Sequence, residues 1–261
     1  MALTPIRSGR LRIFQACREG WSAFGLAPVP LMLFSLLSSL AIGACFLLAW
    51  ILLLPPVYGG SAGALPRQLE LLITLAVFLG TLLVMVVSSL GFCRGAWMAL
   101  EGRKPRFADL FRWDGAALKR LLLAWTAQQL VLVLPLGLAT LLYFGLERLV
   151  LGSLWELHIA LLILALAWYG VTQCFLNPLC LFREPKPFAA VGSGIRVALR
   201  EWWPVVGLNG LLLALTMVVS TVCCWPLPIV LTTPLACCIN LAAYRQLFGA
   251  EDRLGLMKPQ S

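Results

Sequence analysis

Gly91 to Arg120 reads GFCRGAWMALEGRKPRFADLFRWDGAALKR, and the fold is decided here. The stretch carries seven of the chain's twenty Lys and Arg residues, namely Arg94, Arg103, Lys104, Arg106, Arg112, Lys119 and Arg120. Only Glu101, Asp109 and Asp114 oppose them. On each side lies an apolar run of about twenty residues or more, the length that spans hydrocarbon. The stretch is thus a basic loop between membrane helices. After Pro105, the residues Phe107, Leu110, Phe111 and Leu118 fall at helical intervals, which predicts a short amphipathic helix at the acyl boundary.

The rest of the chain follows the same pattern. It is 61% hydrophobic and 12% charged, about half the charge of an ordinary soluble domain. Six apolar spans are expected, at about 28–54, 69–92, 121–146, 157–182, 204–222 and 229–248. Pro55-Pro56 is expected to end the first. Ser35, Ser39 and Gly43 in the first span, and Gly80 and Ser88 in the second, make small-residue stripes suited to helix packing in lipid. Residues 1–27 predict an interfacial helix, with Phe14, Cys17, Trp21 and Phe24 on one stripe and Arg18 and Ser22 off it. That first apolar run is too long for a cleaved signal peptide. Phe188, Val191, Ile195, Leu199 and Trp202 mark another such face, with Arg196 and Arg200 beside it. The fold class is all-α, a single integral membrane domain over 1–261, built as three hairpins with amphipathic cytoplasmic helices.

Charge gives the orientation. Eighteen of the twenty basic residues lie before the first span, in 93–120, in 183–203, or from Tyr244 onward. Only Arg67 and Arg148 lie on the alternate loops. By the positive-inside rule both termini are cytoplasmic. Trp21, Trp50, Trp97, Trp113, Trp155, Trp202, Trp203 and Trp225 fall near predicted interfaces, where indole prefers to sit. A bacterial inner membrane fits this count; a thylakoid or organelle membrane would look the same. The net charge of +9 follows the span ends and gives no reason to expect nucleic acid as a partner. Anionic lipid headgroups are the partner it suggests, with a protein partner or a second copy of the chain as further possibilities. The basic residues singled out for that role are Arg103, Lys104, Arg106, Arg112, Arg196 and Arg200.

The basic helix, span, turn and span recur three times, and short stretches match. Lys104-Pro105-Arg106-Phe107-Ala108 resembles Pro185-Lys186-Pro187-Phe188-Ala189. Ala96 to Gly102 resembles Ala243 to Gly249. Units with an even number of spans share one orientation, so a duplication would give parallel repeats.

Chemistry is sparse. Ionisable residues inside spans are costly and usually functional, and none lies near a predicted span centre. The polar candidates there are Gln128, Gln129, Gln173, Asn177, Asn209 and Asn240. Buried amides need partners in lipid, and interhelical hydrogen bonds supply them. A polar substrate path is the alternative, with Asn177-Pro178, Pro135 and Pro234 as points where backbone carbonyls could open. The nine cysteines lie mostly in apolar runs without CxxC spacing and read as small buried hydrophobes. HExxH and GxGxxG are absent, and His158 has no nucleophile near it in the sequence. No enzyme, cofactor or metal site is expected.

Asn177-Pro178, AVGSGIRVALREW from Ala190 to Trp202, Pro234, and Ala243-Tyr244-Arg245 carry a resemblance. They look like bacterial six-helix membrane proteins related to the membrane domain of glycerophosphodiester phosphodiesterases, including the YciC-like proteins. The resemblance covers about residues 90–250. Gly194 and Glu201 stand where that pattern has Ser and Asn. It implies a helical membrane module with no catalytic residues to carry over. The function expected is a structural or accessory membrane component working through its basic face; the alternative is a transporter or permease subunit for a small or amphiphilic solute.

Overall fold

The computed structural model describes residues 9–58, 67–147, 155–222 and 227–257. The described residues are almost entirely helical, with no strand among them. In chain order the helices are α1 (Ile13–Leu26), α2 (Pro28–Tyr58), α3 (Arg67–Leu100), α4 (Phe107–Leu110), α5 (Gly115–Glu147), α6 (Trp155–Gln173), α7 (Leu176–Phe182), α8 (Pro187–Arg200), α9 (Trp202–Val222) and α10 (Leu227–Phe248). Among the described residues, five stretches are long and apolar enough to cross a bilayer: Pro28–Leu48, Leu71–Leu100, Gly115–Gly145, His158–Phe182 and Trp202–Thr221. A helix rises about 1.5 Å per residue, so about twenty residues match a hydrocarbon core of about 30 Å. These are the helices of an integral membrane protein.

α10 occupies the place of the expected sixth span. Thr232, Thr233, Pro234, Asn240 and Arg245 make it less apolar than the other five. Burial explains why that is tolerated. Cys238, Ile239, Leu241, Ala242, Ala243, Tyr244, Leu247 and Phe248 are all buried in protein. A helix surrounded by protein need not dissolve in lipid.

The chain forms two compact units. One comprises Trp21–Trp113 and Leu215–Cys238. Here α2 packs on α3, and α4 lies against both. Phe34 is the hub: its ring meets Phe92 and Phe111 edge-on, each at 4.9 Å. Gly91 and Gly95 make that approach possible. A Cβ on Gly91 would fall 2.4 Å from the Phe34 ring, and one on Gly95 would fall 2.5 Å from Leu110. α3 ends in a left-handed glycine, Gly102 at φ 76°. The Gly102 N–H donates to the Ala99 carbonyl and the Arg103 N–H to that of Met98, which satisfies the helix's last carbonyls.

The other unit comprises Met1–Gly20, Asp114–Ala214 and Ile239–Ser261. Asp114 accepts the Ala117 N–H at 2.9 Å and starts α5. α5 packs on α6, α7 and α8, and α8 also packs on α6 and α7. Arg183 is buried and donates to the Phe248 carbonyl at 2.5 Å, with its guanidinium over the Phe248 ring. Tyr244 stacks on Phe248 at 5.0 Å, next to Phe182 and Phe175.

Within single helices, burial is concentrated at the end nearest the short helices. Leu31, Phe34 and Ser35 of α2 are buried, whereas Phe46, Leu47, Leu48, Trp50 and Ile51 are exposed. In α3 the order reverses, with Leu71, Leu72, Phe78 and Leu79 exposed and residues 90–97 buried. The exposed halves are continuous apolar surface, which water would not tolerate and lipid does.

Several sequence expectations are corrected. α2 runs through Pro55-Pro56 to Tyr58, because proline removes a donor but keeps a helical φ. α3 continues to Leu100 and α5 begins at Gly115, so the central loop is shorter than 93–120. α4 is a single turn, and Leu118 belongs to α5. The fourth span breaks at Cys174-Phe175. Pro178 has no N–H for the Cys174 carbonyl, yet it fits the first turn of α7. Trp97 is fully buried in protein, and its Nε1 donates to Glu101 at 2.7 Å. Of the small-residue stripe in α2, Ser35 is buried and donates to the Ile229 carbonyl at 3.3 Å, while a Cβ on Gly43 would meet nothing within 4 Å. Arg148 and the turn at 223–226 lie outside the described residues, as do 59–66 of the expected first outer loop.

Candidate lipid-facing site and intramembrane polar groups

α8 shows how the basic site is built. Its protein-facing side is made of small and β-branched residues, Ala190, Val191, Gly194, Val197 and Ala198, all buried. Gly194 allows the closest approach, since a Cβ there would lie 3.2 Å from the Thr172 carbonyl oxygen. The predicted apolar stripe is therefore split. Val191 turns inward, while Phe188 and Leu199 face out, Phe188 at 62% exposure. Arg196 and Arg200 are exposed on the flank next to them, and Trp203 at the start of α9 is 79% exposed. The helix has a protein face, an open apolar face and a basic flank.

α1 repeats the plan. Ala16, Gly20, Ala23 and Phe24 are buried, whereas Phe14 (89%) and Trp21 (63%) are exposed beside Arg18. Phe24 thus leaves the stripe predicted for it, and Cys17 is half-buried. Burial raises the Cys17 thiol pKa above its ordinary value. In 103–113, Leu110 is buried and Phe107, Phe111 and Trp113 are exposed.

The six basic candidates differ in availability. Arg103 is ion-paired to Glu101, and Arg200 lies 3.8 Å from Glu201. Exposed pairs of this kind contribute about 0–1 kcal/mol and compete weakly with other anions. Lys104, Arg106 and Arg196 are exposed. Arg112 is half-buried, and its carbonyl accepts from Arg94 Nη1 at 2.6 Å. Arg94 itself is buried inside α3 and clamps the turn after α4. A basic residue at the end of an apolar run gives no signal by which to tell these roles apart.

The polar candidates lie in α5, α6, α7, α9 and α10. Asn177 Oδ1 accepts from Trp125 Nε1 at 2.8 Å, a bond between α7 and α5. Asn209 Nδ2 donates to its own helix at Val205 O, 2.9 Å away, and the amide lies by Cys174. Gln128 faces the Tyr169 hydroxyl. Gln173 is buried at 7% exposure beside the helix break, and its Oε1 has no hydrogen-bond partner among the described residues. Asn240 Oδ1 is likewise buried without one. Gln129 faces outward and joins none of these. His158 is buried at the start of its span and stacks on Tyr143 at 4.4 Å. The order Gly-x-Ser-x-Gly occurs at residues 59–63. It follows a helix, whereas a nucleophile elbow requires a preceding strand, and its residues lie outside those described.

No family model, no curated protein and no solved structure matches the chain.

Proposed function

We propose that this chain is a non-enzymatic, structural or accessory component of its membrane that engages anionic lipid headgroups through basic amphipathic helices. The supporting observation is the three-sided arrangement of α8, in which Phe188, Leu199 and Trp203 stay exposed beside Arg196 and Arg200 while the small-residue face is used for packing. Each basic residue close to an anionic leaflet contributes about 1 kcal/mol, or about fivefold in lipid preference. In this reading α10 completes six spans, the basic helices and both termini face the cytoplasm, and the membrane is a bacterial inner membrane. The likeness to the YciC-like proteins belongs to the same proposal.

The test is quenching of tryptophan by brominated lipid in reconstituted protein. Brominated phosphatidylglycerol should quench more than brominated phosphatidylcholine. Changing Arg18, Arg103, Lys104, Arg106, Arg196 and Arg200 to Gln should abolish the difference. An unaltered preference in that variant would remove the basis of the headgroup reading.

A second reading, a transporter or permease subunit, draws on the break at Cys174-Phe175 with Gln173 Oε1 buried beside it and without a hydrogen-bond partner among the described residues. Broken helices at membrane depth are tolerated where they are buried in protein or line a cavity. Cysteine placed at position 128, 173 or 209 would react with aqueous thiol reagents if a path exists, and would stay unreactive if these amides only join helices.

A further inference from the structure

We infer that the chain carries three equivalent anionic-phospholipid sites, one on each short amphipathic segment: α1, the α4 segment 103–113, and α8. This rests on the headgroup reading and adds number and position to it.

The joints between short and long helices are alike. α4 packs on the end of α3 through Gly91 and Gly95, whose added Cβ atoms would lie 2.7 Å from the Leu110 carbonyl and 2.5 Å from its side chain. α8 packs on the break and α7 through Gly194, whose Cβ would lie 3.2 Å from the Thr172 carbonyl and 3.6 Å from Leu179. α1 packs on α10: a Cβ on Gly20 would lie 2.6 Å from Ile239 Cα, and the Arg12 N–H donates to Gln246 Oε1 at 3.0 Å. α3 is thus met by the short helix that follows it, the break after α6 by α8, and α10 by α1.

The ends of α3 and α10 agree residue by residue. Ala96 and Ala243 are buried, and so are Trp97 and Tyr244 one position on. Five residues after each aromatic stands a left-handed glycine, Gly102 at φ 76° and Gly249 at φ 94°. The starts of α4 and α8 agree as well, each preceded by an extended basic residue, Arg106 and Lys186.

What each short segment leaves open is also alike. α1 exposes Phe14 and Trp21 beside Arg18; 103–113 exposes Phe107, Phe111 and Trp113 beside Lys104 and Arg106; α8 exposes Phe188 and Leu199 beside Arg196 and Arg200. A phosphodiester with one acyl chain against the aromatic satisfies both halves of such a surface. A free inorganic anion would leave the aromatics wet, and a zwitterionic headgroup would set its own cation against the arginines.

Native mass spectrometry of the full chain, released from mild detergent with added phosphatidylglycerol, counts the sites. The wild type should hold three lipids tightly. Arg18→Gln with Trp21→Ala, Arg106→Gln with Trp113→Ala, and Arg196→Gln with Arg200→Gln should each hold two, and the three combined should hold none. Arg196→Lys with Arg200→Lys, which keeps the charge, should hold three and so separates lost binding from lost folding. A variant that still holds three, or that loses all at once, would overturn three independent sites. If phosphatidylcholine is held as well as phosphatidylglycerol by the wild type, the headgroup reading itself fails.

Discussion

Gly20 of α1 gives a direct check on how the short helices are held. A Cβ added there would sit 2.6 Å from Ile239 Cα and 2.7 Å from Ile239 N and Cγ1. Carbon atoms in good contact are about 3.5–4.0 Å apart, so α1 and α10 must separate by about 1 Å. Two of the three clashing atoms are backbone, so no rotamer change relieves them. Overpacking of this kind costs about 1–3 kcal/mol. Alanine regains at most about 1 kcal/mol of helix propensity over glycine. Gly20→Ala should therefore destabilise by about 1–2 kcal/mol, a few degrees in melting temperature for a chain of this size. Gly25 in the same helix is the control, because nothing lies within 4 Å of its added Cβ. Gly25→Ala should be neutral or slightly stabilising. Thermal unfolding in detergent, followed by tryptophan fluorescence, measures both. A Gly20→Ala protein as stable as the wild type would refute the close packing of α1 on α10.

Three further outcomes follow from single contacts. Arg183→Met removes a charged hydrogen bond to the Phe248 carbonyl and should cost about 1.5–3 kcal/mol, with Arg183→Lys rescuing only part of it because lysine lacks the planar fork; urea titration of the detergent-solubilised protein measures it. Trp125→Phe removes the bond to Asn177 and should cost about 0.6 kcal/mol, at most about 1.7, as interhelical polar bonds in membranes do; the melting temperature is the readout. Cys17, with its thiol pKa raised by burial, should alkylate slowly at neutral pH and quicken only above the ordinary thiol range. Peptide mapping would show this, and labelling at pH 7 as fast as for a free thiol would contradict it.

Apolar runs were enough to locate the long helices, because in lipid a span must be both continuous and greasy. They were not enough for the parts that touch protein. Arg94 and Trp97 looked like a topology charge and a belt tryptophan, since both stand where an apolar run meets a basic stretch. α3 instead continues past them, and burial gives them structural tasks. In α8 the sequence reads Phe188, Val191, Ile195, Leu199 and Trp202 as one apolar face at the acyl boundary, yet Val191 is buried with Ala190, Gly194 and Ala198, because small side chains let helix axes approach. That left Phe188 and Leu199 outside, which strengthens the lipid-facing reading. The break at Cys174-Phe175 was foreshadowed only by Pro178. Asn177 looked like one of six equivalent amides, and only the fold pairs it with Trp125.

The most direct measurement is the lipid that travels with the protein. The wild type and the variant with Arg18, Arg103, Lys104, Arg106, Arg196 and Arg200 changed to Gln would be extracted in mild detergent from the same membranes, and the retained phospholipids quantified by class. The account predicts that the wild type is enriched in anionic over zwitterionic lipid relative to the bulk membrane and that the variant returns to the bulk ratio. Equal ratios in wild type, variant and bulk membrane would contradict it.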